Sequence, residues 1–279
     1  MKEVIIDALI DSVKLLPFLF VAFLLIELFE HKFSEKSKKK LSNSKKVGPI
    51  IGSIFGIIPQ CGFSVMATNL YATRIISIGS LIAVYLSTSD EMIPILIAEK
   101  APFSLLLKVL AIKLVVGMIC GIIIDLVIRK KEKEDYHICD DEHCNCDDEH
   151  FFKAAVKHTF NIFLFILVCN FIITSIMEFG GNDLLNKIFL KENVFAPFLT
   201  SLIGLIPNCA SSVILTELFL NNAISFASLI AGLLTGAGLG ILVLFRTNKS
   251  KKENVFILLT VYFIGVLVGV LIEVFTKIM

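Results

Sequence analysis

The sequence has little charge for its length and contains no tryptophan. Lys, Arg, Asp and Glu make up 18% of its 279 residues, whereas 56% are hydrophobic and the mean hydropathy is +0.84. A soluble protein of this length would carry more charge and fewer unbroken apolar runs. Several runs have the length that spans a ~30 Å hydrocarbon core, or half of it. The composition therefore predicts an all-α polytopic membrane protein in a lipid bilayer.

Further absences exclude whole classes of function. No small-residue cleavage site follows the first apolar run, so we expect a first transmembrane helix rather than a cleaved signal peptide. No phosphate-binding P-loop occurs, so ATP coupling would need a partner. No histidine lies deep in a span, and no Ser–His or paired-Asp arrangement suggests an intramembrane enzyme. We expect a protein that is not an enzyme, has no resident cofactor and binds no nucleic acid.

The sequence contains two copies of one unusual stretch, 148 positions apart. Residues 56–65 read GIIPQCGFSV and residues 204–213 read GLIPNCASSV, with six of ten positions identical. The same offset holds without a gap over most of the chain. An internal repeat of this size in a membrane chain is typical of transporters. It predicts a first membrane repeat at 1–130, a connector at 131–150 and a second membrane repeat at 151–279.

Charge bias predicts that the two repeats have inverted topologies. The loop at 31–47 holds seven Lys and one Glu, but its counterpart at 179–195 is net neutral. Further along the chain the second repeat carries the positive charge instead. Glu99-Lys100 is neutral, while its counterpart region at 246–252 is basic. The positive-inside rule then predicts which segments face the cytoplasm of a plasma-membrane protein; they are residues 31–47, 129–150 and 246–253.

Two arrangements satisfy this topology within each repeat. In the first, residues 48–72 form a re-entrant hairpin with its tip at 59–62, and a helix over 75–98 is broken at 87–90. In the second, three short tilted crossings give five spans per repeat and ten in total. Either way we expect re-entrant or broken helices that meet near the bilayer midplane, in about ten membrane segments.

Each copy of the repeated stretch places a proline, an amide and a cysteine inside an apolar run. Proline frees backbone carbonyls, and the helix that resumes after it directs N–H groups to the same place. A proline kink with a packed cysteine is the simpler interpretation of one copy. Two copies at equivalent positions favour a substrate site. The candidate side chains are Gln60, Cys61, Ser64, Asn208, Cys209 and Ser212.

A polar stretch interrupts the 75–98 run near its middle. A carboxylate at that depth costs about 2.5–3.5 kcal/mol on insertion scales, so it marks a functional site by default. Helix capping is the alternative, and capping does not exclude ligation. The counterpart at 234–240 has no charge and three glycines, so it supplies permissive backbone instead. We add five substrate-site candidates: Ser87, Thr88, Ser89, Asp90 and Glu91.

Lys113 lies too deep in the 103–128 helix for easy snorkelling to the membrane surface. Its counterpart is Val261, so the fold does not require a charge there. An ion pair between Lys113 and Asp90 or Glu91 would lower the cost of burying both, and a proton or substrate cation could compete for it. We assign the coupling role to Lys113 and Asp90.

The connector is rich in metal-ligating side chains. Its spacing matches no standard structural zinc site, so a solvated acidic loop is the alternative to a metal-binding tract. The candidate metal ligands are His137, Cys139, His143, Cys144, Cys146 and His150. Glycines at spacings of four, as in Gly117 and Gly121, predict close helix packing in both repeats.

The paired IPQCG and IPNCA motifs, the STSDEMIP stretch and the His/Cys/acid-rich connector resemble those of the ten-transmembrane heavy-metal exporters. That family is related by name to arsenic-efflux permeases, and its members are described as arsenic-efflux-like or as manganese transporters. The resemblance covers nearly the whole chain. It implies export of a metal or metalloid ion without fixing which one.

The leading hypothesis is a secondary exporter of a transition or heavy-metal ion. Asp90 and Glu91 favour a manganese- or zinc-like divalent cation, whereas the two thiols favour an arsenic-type metalloid. An elevator-type carrier of a small organic anion is the alternative, because re-entrant hairpins and broken helices also serve such carriers. The acids count against it. A homodimer is included among the expectations.

Overall fold

The computed structural model describes residues 47–59, 62–89, 92–128, 195–208 and 210–278, with single helical positions within 13–24 and 156–171. All regular structure in this part of the chain is α-helical, which confirms the all-α prediction there. The helices with assigned bounds are α1 (Gly48–Gly56), α2 (Gly62–Ala72), α3 (Ile78–Ser87), α4 (Met92–Ala98), α5 (Phe103–Val127), α6 (Ala196–Gly204), α7 (Ala210–Leu220), α8 (Phe226–Thr235), α9 (Gly240–Thr247) and α10 (Lys251–Ile278).

Four helical stretches among the described residues are long and apolar enough to cross a membrane. Two are single helices, α5 and α10. The others are interrupted, because each joins two short helices, α3 with α4 and α8 with α9. The predicted break of the 75–98 helix is thus confirmed. Helices α1, α2, α6 and α7 have 9 to 11 residues, so each covers about half of the hydrocarbon core.

Helices α3 and α8 begin with the same set of hydrogen bonds. The Ser77 hydroxyl accepts the backbone N–H of Ser80 at 3.2 Å and donates to the Asp125 carboxylate at 2.6 Å. At α8, the Ser225 hydroxyl donates to Glu273 at 2.8 Å and accepts a backbone N–H at 3.2 Å. A carboxylate from the long helix therefore faces the positive end of the helix beside it, which is stabilising.

Hydroxyl side chains mark the ends of α3 and α8. Ser87 and Thr88 donate to carbonyls of the preceding turn, each at 2.7 Å, and such bonds bend helices or compete with the backbone ladder. In α8, Thr235 donates to the Gly232 carbonyl at 2.9 Å and to the Ser201 carbonyl of α6 at 2.8 Å. Side-chain hydroxyl groups therefore hydrogen-bond to backbone carbonyls in the last turn of each of these two helices.

Among the described residues, two three-helix units pack closely, and their contacts recur 148 positions apart. Helices α1, α3 and α5 form the first unit, and α6, α8 and α10 form the second. Every residue of α3 is buried, which fits a helix that is apolar on all sides. A Cβ added at Gly117 would stand 2.9 Å from the Ala83 carbonyl oxygen, and one at Gly265 would stand 2.9 Å from that of Ala231. The predicted glycine packing is confirmed at these positions.

Helices α1 and α2 form a hairpin beside α3. Gly48 lies against Ser80 and Gly56 lies against Ser87, so α1 runs alongside α3 in the same direction. A turn over residues 73–77 then joins the end of α2 directly to the start of α3. The base of the hairpin therefore lies at the N-terminal end of α3. Its far end lies beside the point where α3 stops.

Short helices outside these two units pack across the two halves of the chain: α2 packs on α9, and α7 packs on α4. Thr68 of α2 shares a 2.6 Å hydrogen bond with Tyr85 and donates to the Gly240 carbonyl of α9 at 3.2 Å. At the end of α2, Arg74 forms an ion pair of 2.9 Å with Glu253 of α10. Buried polar contacts therefore bind the first half of the chain to the second.

Candidate functional site

A small cavity lies where the interrupted helices of the two halves meet. The first half contributes Thr88 and Ser89 from the break after α3, with Met92 and Lys113. The second half contributes the start of α7 and the end of α8. The residues from that half are Ser211, Ser212, Gly232, Leu233 and Gly236. Broken helices therefore bring backbone ends and hydroxyl groups together inside the protein.

Lys113 is the charged group placed at this junction. Its side chain is fully buried, with 0% of the residue exposed. The ammonium donates to the backbone carbonyl of Thr88 and, at 2.7 Å, to that of Leu233. These carbonyls lie at the C-terminal ends of α3 and α8, where the helix dipole is negative. The ammonium is therefore held inside the protein, and its predicted depth in the membrane stays a prediction.

The start of α7 is fixed by Asn208. Its side-chain oxygen accepts the backbone N–H of Ala210 at 2.9 Å, and its backbone carbonyl accepts the Ser211 hydroxyl at 2.8 Å. This arrangement caps the helix, because the first N–H groups of a helix lack partners within it. The cap holds the first turn of α7, which carries Ser211 and Ser212, against the cavity.

The structure brings together four of the predicted residues, Thr88, Ser89, Lys113 and Ser212. Three others lie apart from the cavity lining. Ser87 donates to carbonyls of its own helix, and Asn208 serves as the helix cap. Ser64 is buried where α2 meets Gly240 of α9.

The remaining predicted residues lie outside the described part of the chain. They are Gln60, Cys61, Asp90, Glu91 and Cys209, with the connector residues His137, Cys139, His143, Cys144, Cys146 and His150. The predicted pairing of Lys113 with Asp90 or Glu91 therefore stays a prediction. Within the described residues, no group of three or more His, Cys, Asp or Glu is arranged to hold a metal ion.

Sequence reasoning did not name five cavity residues as site candidates: Met92, Ser211, Gly232, Leu233 and Gly236, of which Gly236 lies in the glycine-rich stretch at 234–240. The Ser211-Ser212 doublet was a usable signal, because the counterpart of Ser211 in the first repeat is the apolar Phe63. Leu233 gave no signal, since it contributes its backbone carbonyl and its side chain is an ordinary core residue. Gly232 belongs to a series of glycines at spacings of four, which predicts helix packing rather than a functional site.

Residues 1–189 match the family model ArsP_2, which is described as "Putative, 10TM heavy-metal exporter". The chain belongs to this family. The match includes the IPQCG and STSDEMIP stretches and the His/Cys/acid-rich segment, so the predicted family is confirmed; it ends before the IPNCA motif, so the expected resemblance over nearly the whole chain is confirmed for residues 1–189. No curated protein and no solved structure matches the chain.

Membership of this exporter family agrees with the apolar helices in describing a multi-pass membrane protein. It also points to transport rather than to enzymatic catalysis. The organic-anion alternative gains no support from it, and the homodimer stays a prediction.

Proposed function

We propose that the protein is a secondary membrane transporter that exports a transition or heavy-metal ion from the cytoplasm. One observation carries the proposal: in a chain of a heavy-metal exporter family, the ends of two interrupted helices meet around a small cavity whose lining includes hydroxyl groups and the buried Lys113. Transporters bind substrates at such breaks, since irregular backbone inside a membrane is tolerated where it is buried in protein or lines a cavity. The cargo is a manganese- or zinc-like divalent cation or an arsenic-type metalloid.

The two repeats have inverted topologies in this proposal, with ten membrane segments in all. The contacts at one end of the molecule support the inversion. Asp125, near the C-terminus of α5, contacts Ser77, and Arg74 of the same turn contacts Glu253 near the N-terminus of α10. The end of α5 and the start of its counterpart α10 therefore lie side by side, so the two helices run in opposite directions. The α1–α2 hairpin is then re-entrant.

Basic residues support a cytoplasmic position for that same end of the molecule. Arg74 lies there, as does the basic stretch at 246–252, which runs from the last turn of α9 into the start of α10. The Lys-rich loop at 31–47 precedes the base of the hairpin, and Arg129-Lys130-Lys131 follows α5. Segments rich in Lys and Arg stay on the cytoplasmic side of a membrane. The connector at 131–150 is then cytoplasmic as well.

Cargo binding is proposed at the helix breaks. Hydroxyl and amide oxygens and thiols of both repeats form the site, with the acids of the first repeat as the selecting groups. Its members are Gln60, Cys61, Ser64, Ser87, Thr88, Ser89, Asp90, Glu91, Asn208, Cys209 and Ser212. Lys113 and Asp90 couple binding to transport, since a proton or a cargo cation that reaches the acid weakens its attraction to the buried ammonium.

The connector is proposed to capture or sense cytoplasmic metal before transport. Its thiols would be reduced in that compartment and free to bind soft or borderline ions. The cluster to test consists of His137, Cys139, His143, Cys144, Cys146 and His150. Replacing the three cysteines by serine should raise the cytoplasmic metal concentration at which export begins. Unchanged onset of export would reject this role.

A metal-sensitivity panel tests the exporter proposal. Cells with and without the gene are exposed to manganese, zinc, other divalent ions and trivalent arsenic, and their metal content is measured. We expect protection and a lower cell content for one ion or one chemical class. Asp90→Asn should abolish protection from a divalent cation, while the Cys61→Ser/Cys209→Ser double variant should abolish protection from arsenic.

The matched control is Cys120→Ser, which removes a thiol from α5 outside the proposed site. It should leave protection unchanged at equal protein abundance in the membrane. Protection that survives both Asp90→Asn and the double cysteine variant would show that the proposed site is wrong. A gene that protects from no ion in the panel would remove the exporter proposal itself.

A further inference from the structure

The junction of α3 and α8 has the features of a cation site. The last carbonyls of a helix have no partner within it, and the C-terminal end carries about half a negative charge. Two such ends, one from each half of the chain, point carbonyl oxygens at the same buried ammonium, that of Lys113. Backbone carbonyl oxygens are also the ligands by which membrane proteins hold alkali cations.

Lys113 is an addition to the repeat rather than a requirement of its packing. Its counterpart, Val261, is equally buried at 0% exposure and carries no charge. The carbonyls that Lys113 contacts belong to Thr88 and Leu233, 25 and 120 positions away in the sequence. The positive charge of Lys113 therefore contacts backbone from both halves of the chain, whereas the apolar Val261 is sufficient at the equivalent position.

We propose that the junction of α3 and α8 is a binding site for one monovalent cation, and that the Lys113 ammonium is its tethered occupant. A side chain too short to reach the junction leaves two converging helix ends without a positive charge. A small free cation such as ammonium, methylammonium or potassium then takes the place of the lysine nitrogen. A bulky cation such as tetramethylammonium does not enter.

For the exporter this assigns Lys113 a specific task, and this consequence rests on the proposed function. The junction keeps its positive charge when no cargo is bound, because the occupant is covalently attached. A cargo cation bound near Ser89 and Thr88 would repel the ammonium from the carbonyls. Lys113 thereby makes the occupied and unoccupied carriers differ at the contact that joins the halves.

The test measures thermal unfolding of the purified full-length protein in detergent by circular dichroism. Lys113→Ala should lower the Tm, and ammonium, methylammonium or potassium chloride should restore much of the loss in a saturable way. The comparison salt is tetramethylammonium chloride at equal ionic strength. The wild-type protein should show no difference between the salts, since its site is already filled.

Val261→Ala is the matched control, since it shortens a buried side chain at the equivalent position of the second repeat. It should lower the Tm without any cation-specific recovery. Loss of Tm in Lys113→Ala that no small cation restores, or equal recovery in Val261→Ala, would overturn the cation site.

A second variant covers the case in which Lys113→Ala does not fold. Lys113→Met keeps most of the side-chain volume but donates no hydrogen bond. We expect a Tm well below that of the wild type in every salt, because the methionine fills the space and leaves the carbonyls unpaired. A Lys113→Met protein as stable as the wild type would contradict the proposal. Neither readout involves metal export, so failure of the exporter proposal would leave this result unaffected, and the reverse also holds.

Discussion

Arg74 joins the two halves of the chain through side-chain contacts at one end of the molecule. Its guanidinium donates to Glu253 at 2.9 Å and lies 5.1 Å from the ring centroid of Tyr71, whose hydroxyl donates to the same carboxylate at 3.2 Å. Burial lowers the pKa of Arg74, but the hydrogen bond and charge of Glu253 raise it more, so the net shift is upward. Arg74 therefore stays charged at every physiological pH.

The residues 148 positions away from Arg74 and Glu253 show that this ion pair occurs at one end of the molecule and has no repeat equivalent. Arg74 adopts a φ of 61° and its counterpart Asn222 a φ of 56°, so both turns use the left-handed region. Asparagine tolerates that conformation better than arginine does. The counterpart of Glu253 is Leu105. Because Asn222 and Leu105 are both uncharged, no ion pair can form at the equivalent positions. Arg74 adopts this strained backbone conformation at the position where its guanidinium forms the ion pair with Glu253.

A double-mutant cycle should reveal this coupling. Arg74→Ala and Glu253→Gln each remove one partner of a largely buried pair, so each should destabilise the protein. Together they should cost less than their sum, with an interaction energy of about 1 kcal/mol. The measurement is unfolding of the purified protein in mixed micelles. The control cycle pairs Glu253→Gln with Lys251→Ala, an exposed neighbour that should give additive effects. Additivity in both cycles would show that the ion pair contributes nothing to stability.

Close packing against glycine holds the helices of each unit together. Apolar side chains gain little from leaving lipid for protein, so helix association in a membrane depends on tight contacts and hydrogen bonds. The outer faces of α5 and α10 expose large apolar side chains such as Ile119 and Phe263, as a lipid-facing surface requires. Their inner faces bring Gly117 and Gly265 onto the buried helices α3 and α8.

Gly117→Ala and Gly265→Ala should each destabilise the protein. The added methyl group would stand 2.9 Å from a carbonyl oxygen of the buried helix, so the helices would have to move apart. Overpacking of this kind costs about 1–3 kcal/mol. Thermal unfolding by circular dichroism in detergent gives the comparison.

Gly236→Ala is the matched control for these two substitutions. A methyl group there would meet its nearest atom at 3.6 Å, an ordinary van der Waals distance. Its backbone has a φ of −73°, which alanine adopts without strain. We expect a Tm close to that of the wild type. A loss as large as that of Gly117→Ala would mean that lost glycine flexibility, and not helix separation, explains the series.

The described part of the molecule contains two similar three-helix units, and short helices pack across the two halves of the chain. Helix α2 of the first half packs on α9 of the second, and α7 of the second half packs on α4 of the first. The broken helices α3 and α8 also contact each other at the centre. A motion of one unit against the other would therefore act directly on the cavity between the breaks.

Inverted repeats predict that two equivalent turns lie on opposite sides of the membrane. An epitope inserted at 249–250, between α9 and α10, should bind antibody only after the cells are permeabilised. An epitope inserted at 101–102, the equivalent turn between α4 and α5, should bind antibody on intact cells. Both insertions fall in exposed or partly exposed turns outside the helices, so folding should tolerate them. Equal labelling of the two sites before permeabilisation would exclude the inverted arrangement.

Local chemistry made much of the fold predictable. The break after Ser87 was predicted because a cluster of hydroxyl and acidic residues cannot continue an apolar helix, and the glycine contacts were predicted from their spacing of four. The cavity was predicted in part. Thr88, Ser89 and Lys113 stand out from an apolar background, whereas Leu233 acts through its backbone and looks like any core leucine.

The sequence by itself determined that this is a helical membrane protein of a heavy-metal exporter family, with interruptions at defined places. Hydropathy, capping residues and motif identity are local properties, so they can be read along the chain. Only the tertiary structure decided that the Lys113 ammonium ends on carbonyls of α3 and α8. Such a meeting depends on how distant helices pack, and a backbone carbonyl is the same group in every residue. The position of a buried charge is therefore visible in the sequence, but its partners are not.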